Sequence, residues 1–233
     1  MYGWRARIGL LFPAPNIAME PEINAMKPEG VSVHSTRLRD EGQQADNVRR
    51  MAGGIEEAAK LLATAKVNII AYGCTTGSLV GGVGWDQELI QRIERASGVQ
   101  ATTTSTAVIR VFNELGIKKV AVATPYGEEL NRLERAFFEA HGIRVLTMKG
   151  LGGPDSTRSP EITYNLAREV DTPEAEAVFI SCTGFKTITV IERLEKELQK
   201  HIFSSNTATM WDILKRLGIR DQIKGYGKLL MTL

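Results

Sequence analysis

Short apolar runs alternate with longer amphipathic segments along the whole chain. Uninterrupted or alternating apolar runs of four to seven residues predict buried strands, and apolar residues spaced three or four apart predict amphipathic helices. The predicted strands are 7–12, 30–36, 67–71, 99–103, 119–124, 143–148, 177–181 and 201–204. The predicted helices are 19–26, 46–65, 88–97, 106–115, 130–141, 161–170, 187–199 and 207–217. This alternation indicates parallel sheets with helices on both faces.

The same pattern of motifs occurs twice. Phe12-Pro13 at the end of the first strand matches Thr124-Pro125, and Cys74 matches Cys182 about half a chain later. We therefore predict an internal repeat of about 1–118 and 119–233. The predicted fold is α/β, with two pseudo-symmetric three-layer lobes, each built on a parallel, flavodoxin-like sheet. Residues 1–100 plus 206–233 form the first lobe, residues 101–205 form the second, and the active site lies between them.

The two cysteines occupy matching positions in this repeat. Cys74 and Cys182 are the only cysteines, and each follows an apolar strand and precedes threonine, glycine and a further helical segment. Ligands of parallel sheets bind at the carboxyl ends of the strands. A helix N-terminus there favours the thiolate and lowers the pKa of a cysteine. The sequence thus predicts two reactive thiols that face one small substrate from opposite sides.

The other loops at the same strand ends are rich in hydroxyl, amide and backbone N–H donors. The loops expected to converge are 13–16, 74–78, 103–105, 125–127, 182–184 and 204–207. Donors without carboxylates suit a small anion, most simply a carboxylate. A thiol on each side of such an anion permits nucleophilic attack or proton transfer at carbon.

Composition excludes several other classes of function. The 233 residues carry a net charge of +2 with scattered basic residues, so no nucleic-acid partner is indicated. No apolar run is long enough to cross a membrane and no signal peptide is recognised, so we expect a cytoplasmic protein with free thiols. The three histidines lie far from one another and from the cysteines in sequence, so no metal site is expected.

Several short motifs together resemble one enzyme family. They are Pro13-Ala14-Pro15-Asn16, Met19-Glu20-Pro21-Glu22, Gly73-Cys74-Thr75-Thr76-Gly77-Ser78, Thr124-Pro125-Tyr126 and Ser181-Cys182-Thr183. Their order and spacing resemble the aspartate/glutamate racemase superfamily, in its branch of maleate cis–trans isomerases and arylmalonate decarboxylases. The resemblance covers nearly the whole chain.

The resemblance implies a cofactor-independent, metal-free isomerase of a small dicarboxylate that works as a homodimer. It implies that Cys74 is the nucleophile and Cys182 the acid and base. The residues that would hold the substrate are Asn16, Thr75, Thr76, Tyr126 and Thr183. Family decarboxylases keep only the second cysteine, so two cysteines argue against that branch. A family asparagine expected after Gly150 has no counterpart in residues 154–158.

Other interpretations remain open at this stage. The near alternatives are an amino-acid or hydantoin-type racemase with Cys74 and Cys182 as two bases, and an arylmalonate decarboxylase-like enzyme that uses Cys182. A redox protein would form a reversible disulfide between the two thiols, and a binding module would hold a dicarboxylate without turnover. Asn16 alternatively caps the helix that follows it, and Tyr126 alternatively packs in the core.

Overall fold

Two four-stranded parallel sheets with the same strand order form the centre of the molecule. The computed structural model describes residues 2–40, 42, 44–153 and 155–233. The first sheet contains β1 (Ala6–Pro13), β2 (Val31–Leu38), β3 (Ile69–Tyr72) and β4 (Ala101–Thr103), in the order β2-β1-β3-β4. The second contains β5 (Lys119–Thr124), β6 (Arg144–Gly150), β7 (Ala177–Ile180) and β8 (His201–Ser204), in the order β6-β5-β7-β8. The identical order reflects the predicted repeat and matches the flavodoxin-like arrangement.

Helices connect the strands within each sheet. Before the second sheet they are α1 (Met19–Met26), α2 (Ala45–Met51), α3 (Ile55–Thr64), α4 (Thr75–Leu79), α5 (Trp85–Ser97) and α6 (Thr104–Glu114). Within and after it they are α7 (Glu128–Ala140), α8 (Pro160–Val170), α9 (Ile191–Leu198) and α10 (Ser205–Arg216). The eight predicted strands and the regions of all predicted helices are present.

Two predicted helices differ from the observed ones. The predicted helix 46–65 is divided into α2 and α3 by a 3₁₀ turn over Ala52–Gly54, since two adjacent glycines weaken a continuous helix. The predicted helix 187–199 begins only at Ile191. The backbone N–H groups of Thr187 and Ile188 instead donate to the buried carboxylate of Glu22 on α1.

A cluster of aromatic rings lies at the centre of the largest hydrophobic core. Phe112 of α6 packs edge-on against Phe138, Phe179 and Phe203, with ring centroids 5.5, 6.1 and 5.3 Å away. Edge-to-face pairs contribute roughly 0.5–1.5 kcal/mol each beyond the area they bury. The same core includes Leu10 of the first sheet, so one apolar interior joins both halves of the chain.

Each sheet is covered by helices on both faces. Side chains of α3 and α5 pack with the first sheet in a second core, and those of α8 and α9 pack with the second sheet in a third core. On the other side, α6 and α10 pack against each other, and α10 contacts β3, β4 and β8. The prediction of two three-layer α/β halves is therefore confirmed.

The predicted boundary between the lobes needs one correction. β4 pairs with β3 through Ile70–Ala101 and Tyr72–Thr103, so the first sheet extends to Thr103 and not only to residue 100. The contacts of α10 with β3 and β4 agree with the placement of residues 206–233 beside the first sheet. That exchange of the last segment between lobes stays a prediction.

Within the described parts of the chain, no helix combines the length and the apolar character needed to cross a lipid bilayer.

Candidate active site

One cleft brings together all the side chains that the sequence singled out. It has a volume of about 370 Å³, within the range of roughly 300–1,000 Å³ typical of small-molecule sites. The predicted residues that line it are Asn16, Cys74, Thr75, Thr76, Tyr126, Cys182 and Thr183. They belong to loops that follow β1 and β3 of the first sheet and β5 and β7 of the second. The roles assigned to them remain predictions. Four of the six loops expected to converge line the cleft, whereas residues 103–105 and 204–207 are not among its lining.

Cys74 lies at the junction of β3 and α4. Its extended backbone makes it the N-cap of the helix, and its sulfur accepts the backbone N–H of Gly77 at 3.3 Å. The Thr76 hydroxyl lies 3.8 Å from the same sulfur. A side chain at position 77 would place its Cβ 2.9 Å from this sulfur, so glycine permits the close approach.

Cys182 occupies a strained position directly after β7. Its φ is +93°, a left-handed conformation that a residue with a Cβ rarely adopts. Such strain commonly costs about 1–3 kcal/mol and clusters at functional sites. The Cys182 N–H donates to Ser205 Oγ at 3.0 Å, and the sulfur accepts the N–H of Gly184 at 3.3 Å. The strained backbone therefore fixes the direction of a partly accessible thiol.

The expectation that helix termini lower the pKa of these thiols is wrong for this structure. Only Cys74 stands at a helix N-terminus, because the helix after Cys182 begins at Ile191. Burial raises the pKa of Cys74 to about 12 and outweighs the hydrogen bonds from Gly77 and Thr76. Loss of solvent raises the pKa of Cys182 to about 11, against the hydrogen bond from Gly184 and the nearby Tyr126 hydroxyl. At neutral pH both groups are therefore thiols, and either one would have to lose its proton before it could act as a nucleophile.

A serine connects the two cysteine loops. Ser205, the first residue of α10, lies 2.8 Å from Thr75 Oγ1, and it also accepts the Cys182 N–H. Thr75 and Cys182 are therefore held to each other through one hydroxyl. The sequence placed the loop 204–207 at the cleft but gave no reason to select Ser205 from its hydroxyl-rich neighbours.

Asn16 and Thr183 form a direct bridge between the two halves. Asn16 Nδ2 donates to Thr183 Oγ1 at 2.9 Å, and Asn16 Oδ1 accepts the N–H groups of Ala18 and Met19 at 3.0 Å. The capping role considered for Asn16 is thus present together with its place in the cleft. Thr183 Oγ1 donates its hydrogen to the carbonyl of Gly73 at 3.0 Å. The Thr183 hydroxyl is therefore engaged on both sides.

Two tyrosine hydroxyls lie beside the two sulfurs. Tyr126 is almost fully buried, and its hydroxyl interacts with Cys182 and Ser181. Tyr72, which the sequence analysis did not select, ends β3 with its hydroxyl beside the Cys74 sulfur. That hydroxyl is buried and has no partner in hydrogen-bond geometry among the described residues. Burial raises the pKa of both tyrosines well above the usual range, so both remain neutral.

The loop that lacks the family asparagine also reaches the cleft. Asp155, Ser156 and Thr157 line it, while Pro154 lies outside the described residues. Asp155 Oδ1 accepts the N–H and the hydroxyl of Thr157 at 2.8 and 2.6 Å, which fixes the turn. Ser156 is thereby placed against Gly184, because a Cβ there would lie 2.9 Å from Ser156 Oγ. A serine hydroxyl thus faces the cleft from this loop.

Asp40 adds a carboxylate to the lining of the cleft, which the sequence analysis did not anticipate. Across the described ranges of the chain, no group of three or more histidine, cysteine or acidic side chains is arranged to hold a metal ion.

The fold and the site define a class: a two-sheet α/β protein with one cysteine from each half on a shared cleft rich in hydrogen-bond donors. The chain belongs to the arylmalonate decarboxylase family, whose model matches residues 8–230. The family resemblance inferred from the short motifs is therefore confirmed.

Several proteins that this chain resembles are isomerases. A maleate isomerase from Nocardia farcinica is 29% identical over 96% of this chain and 95% of its own length. The crystal structure of a cysteine-to-alanine variant of the maleate isomerase Iso from Pseudomonas putida S16, with maleate, has a TM-score of 0.93 and 26% identity. It covers 97% of this chain and 98% of that one. A cysteine-to-serine mutant of the Nocardia farcinica maleate cis–trans isomerase, with a covalently bound succinylcysteine intermediate, has a TM-score of 0.92, 26% identity and the same coverage.

Proposed function

We propose that this chain is a cofactor-independent cis–trans isomerase of a small dicarboxylate of the maleate type. The observation that carries the proposal is the shared cleft, on which Cys74 and Cys182 lie with hydrogen-bond donors from both halves. The succinylcysteine described for the Nocardia farcinica enzyme supports a covalent route through one cysteine.

Cys74 is the proposed nucleophile. With substrate bound, Cys74 loses its proton to solvent, its thiolate adds to one carbon of the cis double bond, and the electron pair moves to the neighbouring carbon as an enolate of the adjacent carboxylate. Cys182 gives its proton to that carbon, which leaves a succinyl thioether on Cys74 and a thiolate at Cys182. The bond between the two carbons is now single and rotates. The Cys182 thiolate then removes a proton from the same carbon, the C–S bond breaks and the trans product leaves. Cys182 is again a thiol, and the released Cys74 thiolate regains its proton from solvent.

The donors of the cleft hold the two carboxylates in this scheme. Thr75 and Thr76 begin α4 beside Cys74, and Tyr126 stands beside Cys182. Asn16 keeps one amide hydrogen beyond its bond to Thr183. Because the Thr183 hydroxyl is already engaged, its contribution comes from its backbone N–H. Removal of one donor aimed at a developing oxyanion commonly costs about 3–4 kcal/mol of transition-state stabilisation.

The loop 155–157 is expected to adjust the choice of substrate. Ser156 occupies the side of the cleft where the resemblance predicted an asparagine, and Asp40 and Asp155 bring negative charge to the lining. A hydroxyl is shorter than a carboxamide and leaves more room beside Gly184. We therefore propose that the cleft accepts, in addition to maleate, a cis-butenedioate that carries a small substituent.

Proton NMR in deuterated buffer tests the proposed reaction. Maleate and citraconate should convert to their trans isomers, and Cys74→Ala and Cys182→Ala should each abolish the conversion. Exchange of the α-hydrogen of aspartate without any isomerisation would favour the racemase instead. Loss of carboxylate from an arylmalonate would favour the decarboxylase, which the presence of Cys74 argues against.

We also propose that the enzyme is a cytoplasmic homodimer that needs no cofactor. The family resemblance supports the dimer, and the two unpaired cysteines suit a reducing compartment. Light scattering of the purified chain tests the dimer, and full activity after dialysis against a chelator tests the independence from metal ions.

A further inference from the structure

A buried carboxyl group lies behind Cys182 and has no part in the scheme above. Glu134 on α7 has no exposed surface and shares the buried helix face with Leu130, Phe137 and Phe138. Its Oε1 accepts the Ser181 hydroxyl at 2.6 Å, while Oε2 has no hydrogen-bond partner within the described structure. A carboxylate with an unpartnered oxygen in an apolar interior is unfavourable, so the site favours the neutral acid.

Two hydroxyl groups lie between Glu134 and Cys182. Ser181, which precedes Cys182, donates to Glu134, and the Tyr126 hydroxyl lies near both Ser181 and the Cys182 sulfur without a hydrogen bond to either in this structure. All members of this row are buried or line the cleft. The row therefore runs from the core to the reacting sulfur with no exposed member between its ends.

The surroundings of Glu134 contain few other charges. Tyr126 from the loop after β5 and Cys182 after β7 are the titratable groups that feel its charge. On α7, Arg135 turns to the carbonyl of Val145 and to Glu139. On β6, Lys149 pairs with Glu169, and α4 carries no ionisable side chain. Burial, opposed by the Ser181 hydrogen bond, raises the pKa of Glu134 to about 8.

We propose that Glu134 is a positioning residue that controls proton transfer at Cys182 through Ser181 and Tyr126. While Glu134 is neutral, its O–H donates to Ser181, Ser181 to Tyr126, and Tyr126 to the thiolate that remains after Cys182 has given its proton away. When Glu134 ionises, the Ser181 hydrogen turns to the carboxylate, and the negative charge opposes the Cys182 thiolate. No proton is consumed in either state, because Cys182 recovers its own from the substrate. This inference rests on the proposed role of Cys182.

The test measures the Cys182 thiolate directly and needs no turnover. In the full chain with Cys74→Ala, Cys182 is the only cysteine, and its rate of alkylation by iodoacetamide reports the thiolate fraction. The rate is measured from pH 6 to 10 with and without Glu134→Gln. Above pH 8 the glutamine variant should react about tenfold faster, as a shift of one pKa unit gives. Below pH 7, where Glu134 is as neutral as the glutamine that replaces it, the two rates should converge.

Two further variants complete the test. Glu139→Gln, on the exposed part of the same helix, should leave the profile unchanged. Ser181→Ala removes the hydroxyl that bonds Glu134 but keeps Glu134 itself. It should slow the alkylation of Cys182 several-fold below pH 7. This variant also tests the proposal if Glu134→Gln does not fold. A ratio of rates that is constant from pH 6 to 10 would overturn the role of Glu134. That outcome would leave the proposed isomerase standing, since isomerase activity is measured separately.

Discussion

The side-chain amide of Asn16 donates to the hydroxyl of Thr183 at 2.9 Å, and this bond joins the loop after β1 to the loop after β7. The Thr183 hydroxyl in turn donates to the carbonyl of Gly73, the residue before Cys74. The two cysteine loops are therefore tied through one hydroxyl, and the separation of the sulfurs depends on contacts between side chains of both halves.

Two substitutions of Asn16 should separate the effect of its hydrogen bonds to the start of α1 from the effect of its hydrogen bond to Thr183. Asn16→Ala removes both, so we expect a loss of about 1–2 kcal/mol of unfolding free energy together with most of the activity. Asn16→Asp keeps an acceptor for the N–H groups of Ala18 and Met19 but has no amide hydrogen for Thr183. It should therefore keep most of the thermal stability and still lose activity. Equal losses of melting temperature in the two variants would contradict this division.

The stability of the protein should fall with rising pH because of Glu134. Its pKa is raised from 4.5 to about 8 in the folded state, so the folded chain holds a proton that the unfolded chain releases in this window. The contribution is fully present below pH 4.5 and is lost as pH rises through 8. Relative to Glu134→Gln, the wild type should lose a few kcal/mol between pH 5 and 8, measured by urea unfolding at several pH values. A constant difference across this range would exclude the buried acid as the cause.

Both thiols should resist ionisation in the absence of substrate. The pKa values of about 12 for Cys74 and about 11 for Cys182 place their titrations well above that of a free cysteine. Thiolate absorbance near 240 nm in the Cys182→Ala and Cys74→Ala variants should stay low up to about pH 9. Thiolate absorbance already present at pH 7 would show that burial is outweighed by the helix N-terminus at Cys74, or by the N–H of Gly184 at Cys182.

The Tyr72 hydroxyl should matter more for Cys74 than for the fold. The hydroxyl is unpartnered and buried, so Tyr72→Phe should leave the melting temperature unchanged or slightly higher. The Cys74 thiolate would lose an adjacent donor, and its alkylation in a Cys182→Ala background should slow several-fold. Tyr226→Phe, whose hydroxyl bonds the carbonyl of Ala25 at the surface, is the matched control. Unchanged reactivity of Cys74 would show that Tyr72 only packs.

The fold was largely predictable because local pattern and tertiary structure agree in most elements. Apolar runs between glycine and proline turns gave every strand, and the repeat gave two sheets of the same order. The exceptions have local causes that periodicity does not show. Gly53 and Gly54 interrupt one apolar stripe, and the distant Glu22 removes Thr187 and Ile188 from a helix.

The candidate site was predictable in its members but not in its electrostatics. The carboxyl ends of parallel strands lie at one edge of each sheet, so the loops 13–16 and 125–127 were expected beside the cysteines. Within these loops, Asn16 and Tyr126 were selected by the family resemblance. The sign of the thiol pKa shifts depends on burial, which local sequence does not reveal. Glu134 was overlooked although it carried a signal: it lies on the same helix face as Leu130, Phe137 and Phe138, where a charged residue is unusual.

Intact mass spectrometry after incubation with maleate tests the central claim most directly. In Cys182→Ser, solvent supplies the proton that completes the adduct, but the thiolate that would remove a proton again is absent. The protein should therefore gain the mass of one maleic acid, localised by peptide mapping to Cys74. Cys74→Ala should gain no mass under the same conditions. An adduct that persists in Cys74→Ala, or one that maps to another residue, would contradict the proposed covalent route.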